Sequence, residues 1–290
     1  MKRSLKRAAF AVPAMALLLV ASVGSWYAFS APPVENLPLA SDLIAISSAE
    51  GRQLLAATPL KTDYHQLEPF LLPQVRRAFC GPATSAAVIN AALRPRTRVT
   101  QSSLFDTATS AVKSELAVSF GGLTLEELTE LLRAHGLHVQ IVYADDSDIA
   151  SFRDAARSIL AEPRTFLVVN YDRRGLGQSG AGHISPIGAF SGETDRVLVL
   201  DVATYKYPYT WVPVSRLWTA IDTVDPDSGR SRGYLLVTPS AVSTFQRLDD
   251  STATLSAARN PHRERVHYGD QRNRPHTTDG QRSSASHPFL

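Results

Sequence analysis

The residues best suited to chemistry lie between Gln74 and Ser85, a stretch that reads Q-V-R-R-A-F-C-G-P-A-T-S. It holds Cys80, the only cysteine of the 290-residue chain. Gly81-Pro82 and a run of small residues follow, which predicts a buried helix with Cys80 in its first turn, where proline is tolerated. Unpaired N–H groups and the helix dipole favour a thiolate there, and Gln74 is near enough in sequence to donate to an oxyanion. Taken alone, the stretch fits an inert buried thiol equally well.

A second set of chemically useful residues lies on a predicted hairpin. Two β-branched, apolar runs, 183–190 and 196–201, are separated by a five-residue turn, which indicates antiparallel pairing. A register centred on Gly192 places His183 opposite Asp201, within reach of a cross-strand contact. An aspartate that orients an imidazole, beside a cysteine at a helix start, suggests a nucleophile, a base and an orienting carboxylate.

Composition narrows the functional classes. A single cysteine excludes an intramolecular disulfide and CxxC zinc sites, and we expect no protein metal site. The net charge is +3, but basic residues concentrate at the two ends of the chain, so the middle has no basic face to bind nucleic acid. The hydrophobic fraction of 44% is ample for a folded core.

The two ends of the chain differ from its middle. Four basic residues among the first seven precede an almost wholly apolar run, and Ala28-Phe29-Ser30 is a small-x-small cleavage pattern. This predicts export, with the segment either cleaved as a signal peptide or kept as an inner-membrane anchor, the protein's only membrane contact. The expected domains are 1–30 for that segment, 31–41 for a linker, 42–238 for a catalytic domain and 239–290 for a disordered basic tail.

Eight stretches of the middle region carry a family resemblance. They read A-F-C-G-P-A-T-S-A-A-V-I-N-A at 78–91, V-T-Q-S-S-L-F at 99–105, G-G-L-T-L-E-E-L at 121–128, V-V-N-Y at 168–171, G-H-I-S-P at 182–186, T-D-R-V-L-V-L-D-V-A-T-Y-K-Y-P at 194–208, W-V-P-V-S-R-L-W at 211–218 and S-R-G-Y at 231–234. Together they resemble the catalytic domain of phytochelatin synthases in their short bacterial form. The resemblance covers about two thirds of the chain.

The resemblance implies a papain-like cysteine protease fold of the α+β class, in which a helical half carrying the cysteine packs on an antiparallel sheet half carrying His and Asp. It implies a catalytic triad of Cys80, His183 and Asp201, with Gln74 in the oxyanion hole. The substrate-binding residues that it implies are Asp225 and Arg232 for the γ-glutamyl group, together with Gly182, Ile184 and Tyr234.

The implied reaction is transfer of the γ-glutamylcysteinyl group of glutathione through a Cys80 acyl-enzyme, with release of glycine. The acceptor is water, a second glutathione, or both, the second giving phytochelatin in a heavy-metal response. No cofactor is expected, cadmium or zinc would arrive as a glutathione thiolate complex, and a homodimer is left open. Plant and fungal members add a cysteine-rich C-terminal domain, whereas the tail here has no cysteine, which favours simple removal of glycine.

Two alternatives belong to other classes. A papain-like leader peptidase of peptide export also places Gln six residues before a Cys-Gly pair, but it lacks the D-V-A-T-Y-K-Y-P type of run. A non-catalytic envelope protein that binds thiol peptides or metal would be favoured by a broken triad, yet Cys80, His183 and Asp201 are all present.

Overall fold

One antiparallel sheet of seven strands organises the part of the chain that the computed structural model describes, residues 2–240, with side chains from residue 15 onward. The strand order is β1-β6-β5-β4-β3-β7-β2. The strands are β1 (Ile44–Ala45), β2 (Leu137–Tyr143), β3 (Phe166–Asp172), β4 (Gly182–Ser191), β5 (Arg196–Val199), β6 (Thr210–Pro213) and β7 (Gly233–Pro239).

Helices cover both faces of this sheet. They are α1 (Lys2–Phe29), α2 (Ala49–Ala57), α3 (Thr62–Leu67), α4 (Cys80–Leu93), α5 (Thr107–Ser110), α6 (Glu115–Gly121), α7 (Leu125–Ala134), α8 (Ile149–Ile159) and α9 (Val214–Ile221). Strand β3 separates two cores, because Phe166 and Val168 pack with α4 and α7, while Leu167 and Val169 pack with α8 and α9. A strand covered on both faces is expected to be apolar throughout, as β3 largely is.

Helix α4 is the element that carries the predicted nucleophile. It begins at Cys80, as the sequence predicts, and its residues from Gly81 to Ala92 are all buried. Its small side chains allow close packing on the sheet, where Thr84 Oγ1 donates to the carbonyl of Ile184 on β4 over 3.2 Å. The start of α4 is thereby held against the strand that bears His183.

The α+β class is confirmed, and so is the packing of a cysteine-bearing helix on an antiparallel sheet that carries His183. The predicted capping box at the start of α7 is also present, with reciprocal hydrogen bonds between Thr124 and Glu127. Regular structure outside α1 runs from Ile44 to Pro239, close to the predicted domain of 42–238. The predicted tail from residue 241 onward lies outside the described residues.

The segment predicted to be a linker is bound to the domain. The backbone N–H groups of Glu35 and Asn36 both donate to the carbonyl of Tyr205, and that of Leu37 donates to Lys206. Residues 35–37 therefore run along the loop that follows Asp201. Among the described side chains, which begin at Met15, no helix has the length and apolarity needed to cross a membrane.

The predicted register of the β4–β5 hairpin is wrong. Ser191 pairs with Arg196 and Phe190 with Val197, so the turn lies nearer the C-terminus than Gly192. A bulge at Gly188 then shifts the pairing by one residue. His183 and Asp201 consequently lie beyond the residues that pair between β4 and β5, and they are not partners across this hairpin. Their side chains are nevertheless in contact.

Asp63, in α3, is fully buried, and in the described part of the chain neither of its carboxylate oxygens has a hydrogen-bond partner. Desolvation raises its pKa to about 9, so the folded protein holds this group protonated at neutral pH. In the unfolded chain the pKa is about 3.9. The folded state therefore binds the extra proton, and the stability it gives is full below pH 4 and is lost as pH rises toward 9.

The variant Asp63→Asn, which is neutral at every pH, should become progressively more stable than the wild type between pH 5 and pH 8. Each pH unit in this range should widen the difference in unfolding free energy by about 1 kcal/mol, because the wild type must take up a proton on folding and the variant need not. Urea unfolding of both proteins at several pH values measures it. A difference in unfolding free energy that is the same at every pH would contradict a buried, protonated Asp63.

Candidate active site

The start of α4, the start of β4 and the loop after β5 enclose a cleft of about 410 Å³. Cys80 and His183 lie on its floor, and Asp225 and Arg232 on one wall. Other lining residues come from the loop after β5 and from four further segments: Gln74, Arg77, Phe120, Gly122, Leu123, Asn170, Arg173, Ala203, Tyr205, Lys206 and Asp227. The fold thus brings together eight of the nine predicted site residues: seven line this concave space, and Asp201 lies beside it in contact with His183.

Cys80 has the environment of a reactive thiol. Burial raises its pKa, but a hydrogen bond to His183, the charge of that imidazole, a hydrogen bond with the Ile184 backbone and the charge of Arg173 together leave the pKa lowered. Cys80 is also the first residue of α4, so its backbone N–H lies outside the helical hydrogen-bond ladder. The site can therefore hold a thiolate and offer an N–H group beside it.

His183 is positioned by a carboxylate and an aromatic ring. Its Nε2 lies 2.9 Å from Asp201 Oδ1, and both side chains are about 95% buried or more. The N–H is not aligned with Oδ1 as in a linear hydrogen bond, so the contact is chiefly electrostatic. Since Nε2 faces Asp201, Nδ1 is the nitrogen left for Cys80. The edge of Tyr171, 5.6 Å away between ring centroids, packs against the imidazole.

The charges around His183 oppose one another. Burial and the nearby Arg173 lower its pKa, whereas the Asp201 carboxylate and the bond to Cys80 raise it, and the net shift is upward. Burial alone would raise the pKa of Asp201, yet His183 and Arg173 hold it well below its usual range. All three pKa shifts are in the direction that favours a thiolate at Cys80, an imidazolium at His183 and a carboxylate at Asp201.

Arg173 is a site residue that the sequence reading missed. Its Nη2 lies 2.8 Å from the same Asp201 oxygen that His183 contacts, and its Nη1 donates to Gln178 Oε1 over 2.7 Å. Its guanidinium also lies over the ring of Tyr207, 5.3 Å from the centroid. Asp201 therefore has a second cationic partner that fixes the carboxylate. The available signal was an arginine directly after the buried β3.

Gln74 reaches the cleft but its amide is engaged. Its Nε2 donates to the carbonyls of Arg76 and Arg77 over 2.9 and 2.8 Å and lies 3.3 Å from the Tyr205 hydroxyl. Gln74 Oε1 is buried and accepts no hydrogen bond from any described residue. A role for this amide in an oxyanion hole requires one N–H to be shared with an incoming oxygen or the amide to rotate.

Asp225 and Arg232 form a buried pair at the end of the cleft. Arg232 Nη1 lies 3.6 Å from Asp225 Oδ1, and Arg232 Nε is buried with no hydrogen-bond partner from the residues that the structure describes. Asn170 Nδ2 contacts the other Asp225 oxygen at 3.5 Å. A Cβ at Gly182 would come within 2.8 Å of Arg232 Nη2, so a larger residue there would displace the guanidinium. A carboxylate and a guanidinium with unused hydrogen-bonding capacity suit an amino acid head group.

Two further predicted residues have different outcomes. Ile184 lines the cleft, as expected. Tyr234 does not: it is buried in the core on the opposite side of β3, packed edge-on against Phe152 at 5.2 Å, with its hydroxyl 3.3 Å from Ser147 Oγ. Tyr234 is therefore not among the residues that line the cleft, and its predicted contact with substrate has no support from its position. Asn170 lines the cleft but was not predicted as a site residue. The available signal was a single amide side chain within the largely apolar strand β3.

Comparison with models of protein families identifies the family of this chain. Residues 34–234 match the family model described as phytochelatin synthase, which is more than half of the chain and contains every cleft residue discussed above. The chain belongs to the phytochelatin synthase family. The resemblance expected from the motifs is thus confirmed.

Similar curated proteins bear the name glutathione gamma-glutamylcysteinyltransferase. Form 3 from Lotus japonicus is 33% identical over 204 residues, which are 67% of this chain and 42% of the relative. Form 2 from Arabidopsis thaliana is 29% identical, over 75% of this chain and 51% of the relative. The protein of Schizosaccharomyces pombe is 31% identical, over 61% and 44%. The chain thus spans about half the length of these phytochelatin synthase relatives or less.

Among solved structures, xylellain, a cysteine protease from Xylella fastidiosa, matches 73% of this chain and 97% of its own, with 10% identity and a TM-score of 0.38. Within the described residues, no group of three or more His, Cys, Asp or Glu side chains is arranged to hold a metal ion.

The two pKa shifts at the centre of this site predict a bell-shaped pH profile of kcat/KM. Activity should rise as pH passes the lowered pKa of Cys80 and fall as pH passes the raised pKa of His183. In Arg173→Met, loss of a positive charge raises both pKa values, so both limbs should move to higher pH. Glycine release from S-methylglutathione, whose thiol cannot titrate, measures the profile.

Thermal unfolding of Arg173→Met serves as the control, because the change also removes a partner of buried Asp201. If folded Arg173→Met has both limbs of the kcat/KM pH profile at the wild-type pH values, the electrostatic role of Arg173 is contradicted.

Proposed function

We propose that this protein is a glutathione γ-glutamylcysteinyltransferase that works through an acyl-enzyme on Cys80. One observation carries the proposal: in a member of this family, Cys80, His183 and Asp201 form a contact chain on the floor of a cleft whose wall holds the Asp225–Arg232 pair. The names of the relatives indicate glutathione as the substrate. The Asp225–Arg232 pair has the charges that complement the ammonium and carboxylate of its γ-glutamyl group.

The first half-reaction breaks the Cys–Gly peptide bond of glutathione. The Cys80 thiolate attacks the carbonyl carbon, and the oxyanion is held by the N–H of Cys80, together with Gln74 once its amide is shared. Loss of one such donor typically costs about 10²–10³-fold in rate. Protonated His183 gives its proton to the departing amine, so glycine leaves and a γ-glutamylcysteinyl thioester remains on Cys80.

The Asp225–Arg232 pair is the proposed anchor for the γ-glutamyl group. The α-ammonium of that group suits the Asp225 carboxylate, and its α-carboxylate suits the Arg232 guanidinium, whose Nε has no hydrogen-bond partner among the described residues. Asn170 and Gly182 complete this end of the cleft. Anchoring there would set the distance between the γ-glutamyl group and the scissile carbonyl at Cys80.

The second half-reaction depends on the acceptor. Water, activated by His183, gives γ-Glu-Cys and restores the thiol. The amine of a second glutathione gives (γ-Glu-Cys)₂-Gly, and a heavy-metal ion would enter with that substrate as a thiolate complex. Export from the cytoplasm and dimer formation remain part of the proposal.

Mass spectrometry of the products tests the proposed function. The full chain is incubated with glutathione, with and without cadmium, and free glycine, γ-Glu-Cys and (γ-Glu-Cys)₂-Gly are quantified. We expect glycine and at least one of the two other products. If a folded protein releases no glycine in either condition, the assignment is wrong and a binding function takes its place.

Removal of the anchor should act mainly on substrate affinity. Arg232→Met is expected to lower kcat/KM for glutathione by roughly 10²–10³-fold, mostly through KM, because it leaves Asp225 buried and unpaired and removes the carboxylate partner. Arg230→Met is the matched control, since that arginine is about half exposed and pairs with Asp146 outside the cleft. Equal losses in the two variants would contradict the anchoring role.

A further inference from the structure

Exposed apolar side chains are concentrated on and around one helix. Of the fifteen large apolar side chains that are exposed between residues 15 and 240, nine lie on α1, among them Leu17 (71% exposed), Val20 (69%) and Trp26 (68%). Soluble surfaces scatter such residues singly, whereas a continuous apolar surface indicates a partner. The apolar side chains are consecutive from Leu17 to Val20, so they surround the helix and do not form one stripe.

The end of α1 is docked on the catalytic domain. Arg77 Nη1 donates to the Tyr27 carbonyl over 2.9 Å and to Ser30 Oγ over 3.1 Å. The Arg76 guanidinium lies 4.8 Å from the centroid of the Phe29 ring, and Ala28 is only 5% exposed. Two residues of the Ala28-Phe29-Ser30 pattern that suggested cleavage are therefore held by the domain, Ala28 by burial and Ser30 by Arg77, while Phe29 stays partly exposed.

More exposed apolar residues continue from this docking point toward the cleft. Phe29 packs edge-on against Phe120 of α6 at 5.8 Å, and Leu116 lies one helical turn before Phe120 on the same face. Phe120 (57% exposed) and Leu116 (60%) are both solvent-accessible, and Phe120 and Arg77 line the cleft. We call Phe29, Leu116 and Phe120 the apolar rim.

We propose that α1 is retained, inserts into a lipid bilayer, and holds the apolar rim and the mouth of the cleft against the membrane surface. A bilayer explains apolar side chains on all sides of the helix, where a protein partner would cover only one. Trp26 and Tyr27 stand between the apolar run and the domain, the position that aromatic residues take at a lipid–water interface. Four basic residues among the first seven suit anionic headgroups at the other end.

The segment that binds the end of α1 also leads to the nucleophile. Arg76 and Arg77, which bind the end of α1, precede Cys80 by only a few residues, so the helix and the nucleophile are held by the same short segment. Insertion of α1 therefore fixes the cleft close to the headgroup layer.

Site-specific fluorescence on the full chain tests this orientation. Because Cys80 is the only cysteine, a Cys80→Ser background lets a single label be placed at Leu116→Cys on the rim or at Arg157→Cys on α8, across the sheet. With vesicles of phosphatidylethanolamine and phosphatidylglycerol, the label at 116 should shift to the blue and be quenched by nitroxide-labelled lipid. The label at 157 should change in neither respect.

A second variant tests insertion itself. Leu18→Asp combined with Val20→Asp should reduce co-flotation with the same vesicles about tenfold or more, since each carboxylate is costly within the bilayer. Three results would overturn the proposal: vesicle binding that leaves the label at 116 unaffected, self-association through α1 in place of vesicle binding, or recovery of a protein beginning at Ala31 after expression in bacteria. Thermal unfolding confirms that each variant is folded.

Discussion

Cys80→Ala is expected to lower kcat for release of glycine from glutathione by about 10⁴-fold or more. The reason is that the substitution removes the atom that forms the thioester, and loss of a catalytic nucleophile costs this much in comparable sites. Product mass spectrometry under single-turnover conditions measures the residual rate. Substrate affinity should change little, because the Asp225–Arg232 pair is untouched.

Ser85→Ala is the matched control for Cys80→Ala. Ser85 lies on the same helix, is fully buried, and its hydroxyl has no hydrogen-bond partner within the described residues. The control should keep a rate close to that of the wild type. Comparable activity in Cys80→Ala and Ser85→Ala would show that the lone thiol is the inert core residue that its sequence context also allows.

His183→Gln is expected to lower kcat by about 10³–10⁴-fold and to abolish the alkaline limb of the pH profile. Glutamine cannot take the thiol proton, cannot protonate the leaving amine, and gives Cys80 no positive charge, so the pKa of the thiol should rise. The remaining activity should therefore increase with pH. Stopped assays across the pH range of the folded variant measure both effects.

His138→Gln provides the comparison for His183→Gln, since His138 is an exposed residue of β2 away from the cleft. It should retain both the rate and the shape of the wild-type profile. A bell-shaped profile that survives in His183→Gln would assign the alkaline limb to another group and would remove His183 from the role of base.

The sequence was sufficient for those site residues that depend on local order. Cys80 at a helix start follows from the Gly-Pro pair and the small residues after it, because these signals act within one helical turn. The two strands of the His–Asp hairpin were likewise predictable from their β-branched runs. Confirmation of the helix-on-sheet arrangement shows that local pattern and family resemblance agreed.

The contact between His183 and Asp201 was predicted correctly for a wrong reason. The bulge at Gly188 changes the register, and no feature of a single sequence fixes where a bulge falls. The contact survives because Asp201 follows the end of β5, where the chain leaves the sheet and its side chain turns toward His183.

The contacts of Arg173 and Tyr234 could not be predicted from the sequence. Arg173 meets Asp201 across 28 residues of chain, and only the folded structure shows that one carboxylate oxygen has two cationic neighbours. Tyr234 lies two residues from Arg232, yet the side chains part because Tyr234 enters the core on the far face of the sheet. Long-range packing decides such cases.

Trapping of the acyl group is the most direct test of the central claim. Wild-type protein is mixed with glutathione and increasing hydroxylamine, then acid-quenched for intact-mass and peptide analysis. A Cys80 thioester predicts γ-Glu-Cys hydroxamate that increases with hydroxylamine concentration, because hydroxylamine attacks the thioester and restores the thiol. Without hydroxylamine, peptide analysis should map the γ-glutamylcysteinyl adduct to Cys80, the only cysteine of the chain. Glycine released at the full rate with no hydroxamate at any concentration would contradict covalent catalysis by Cys80.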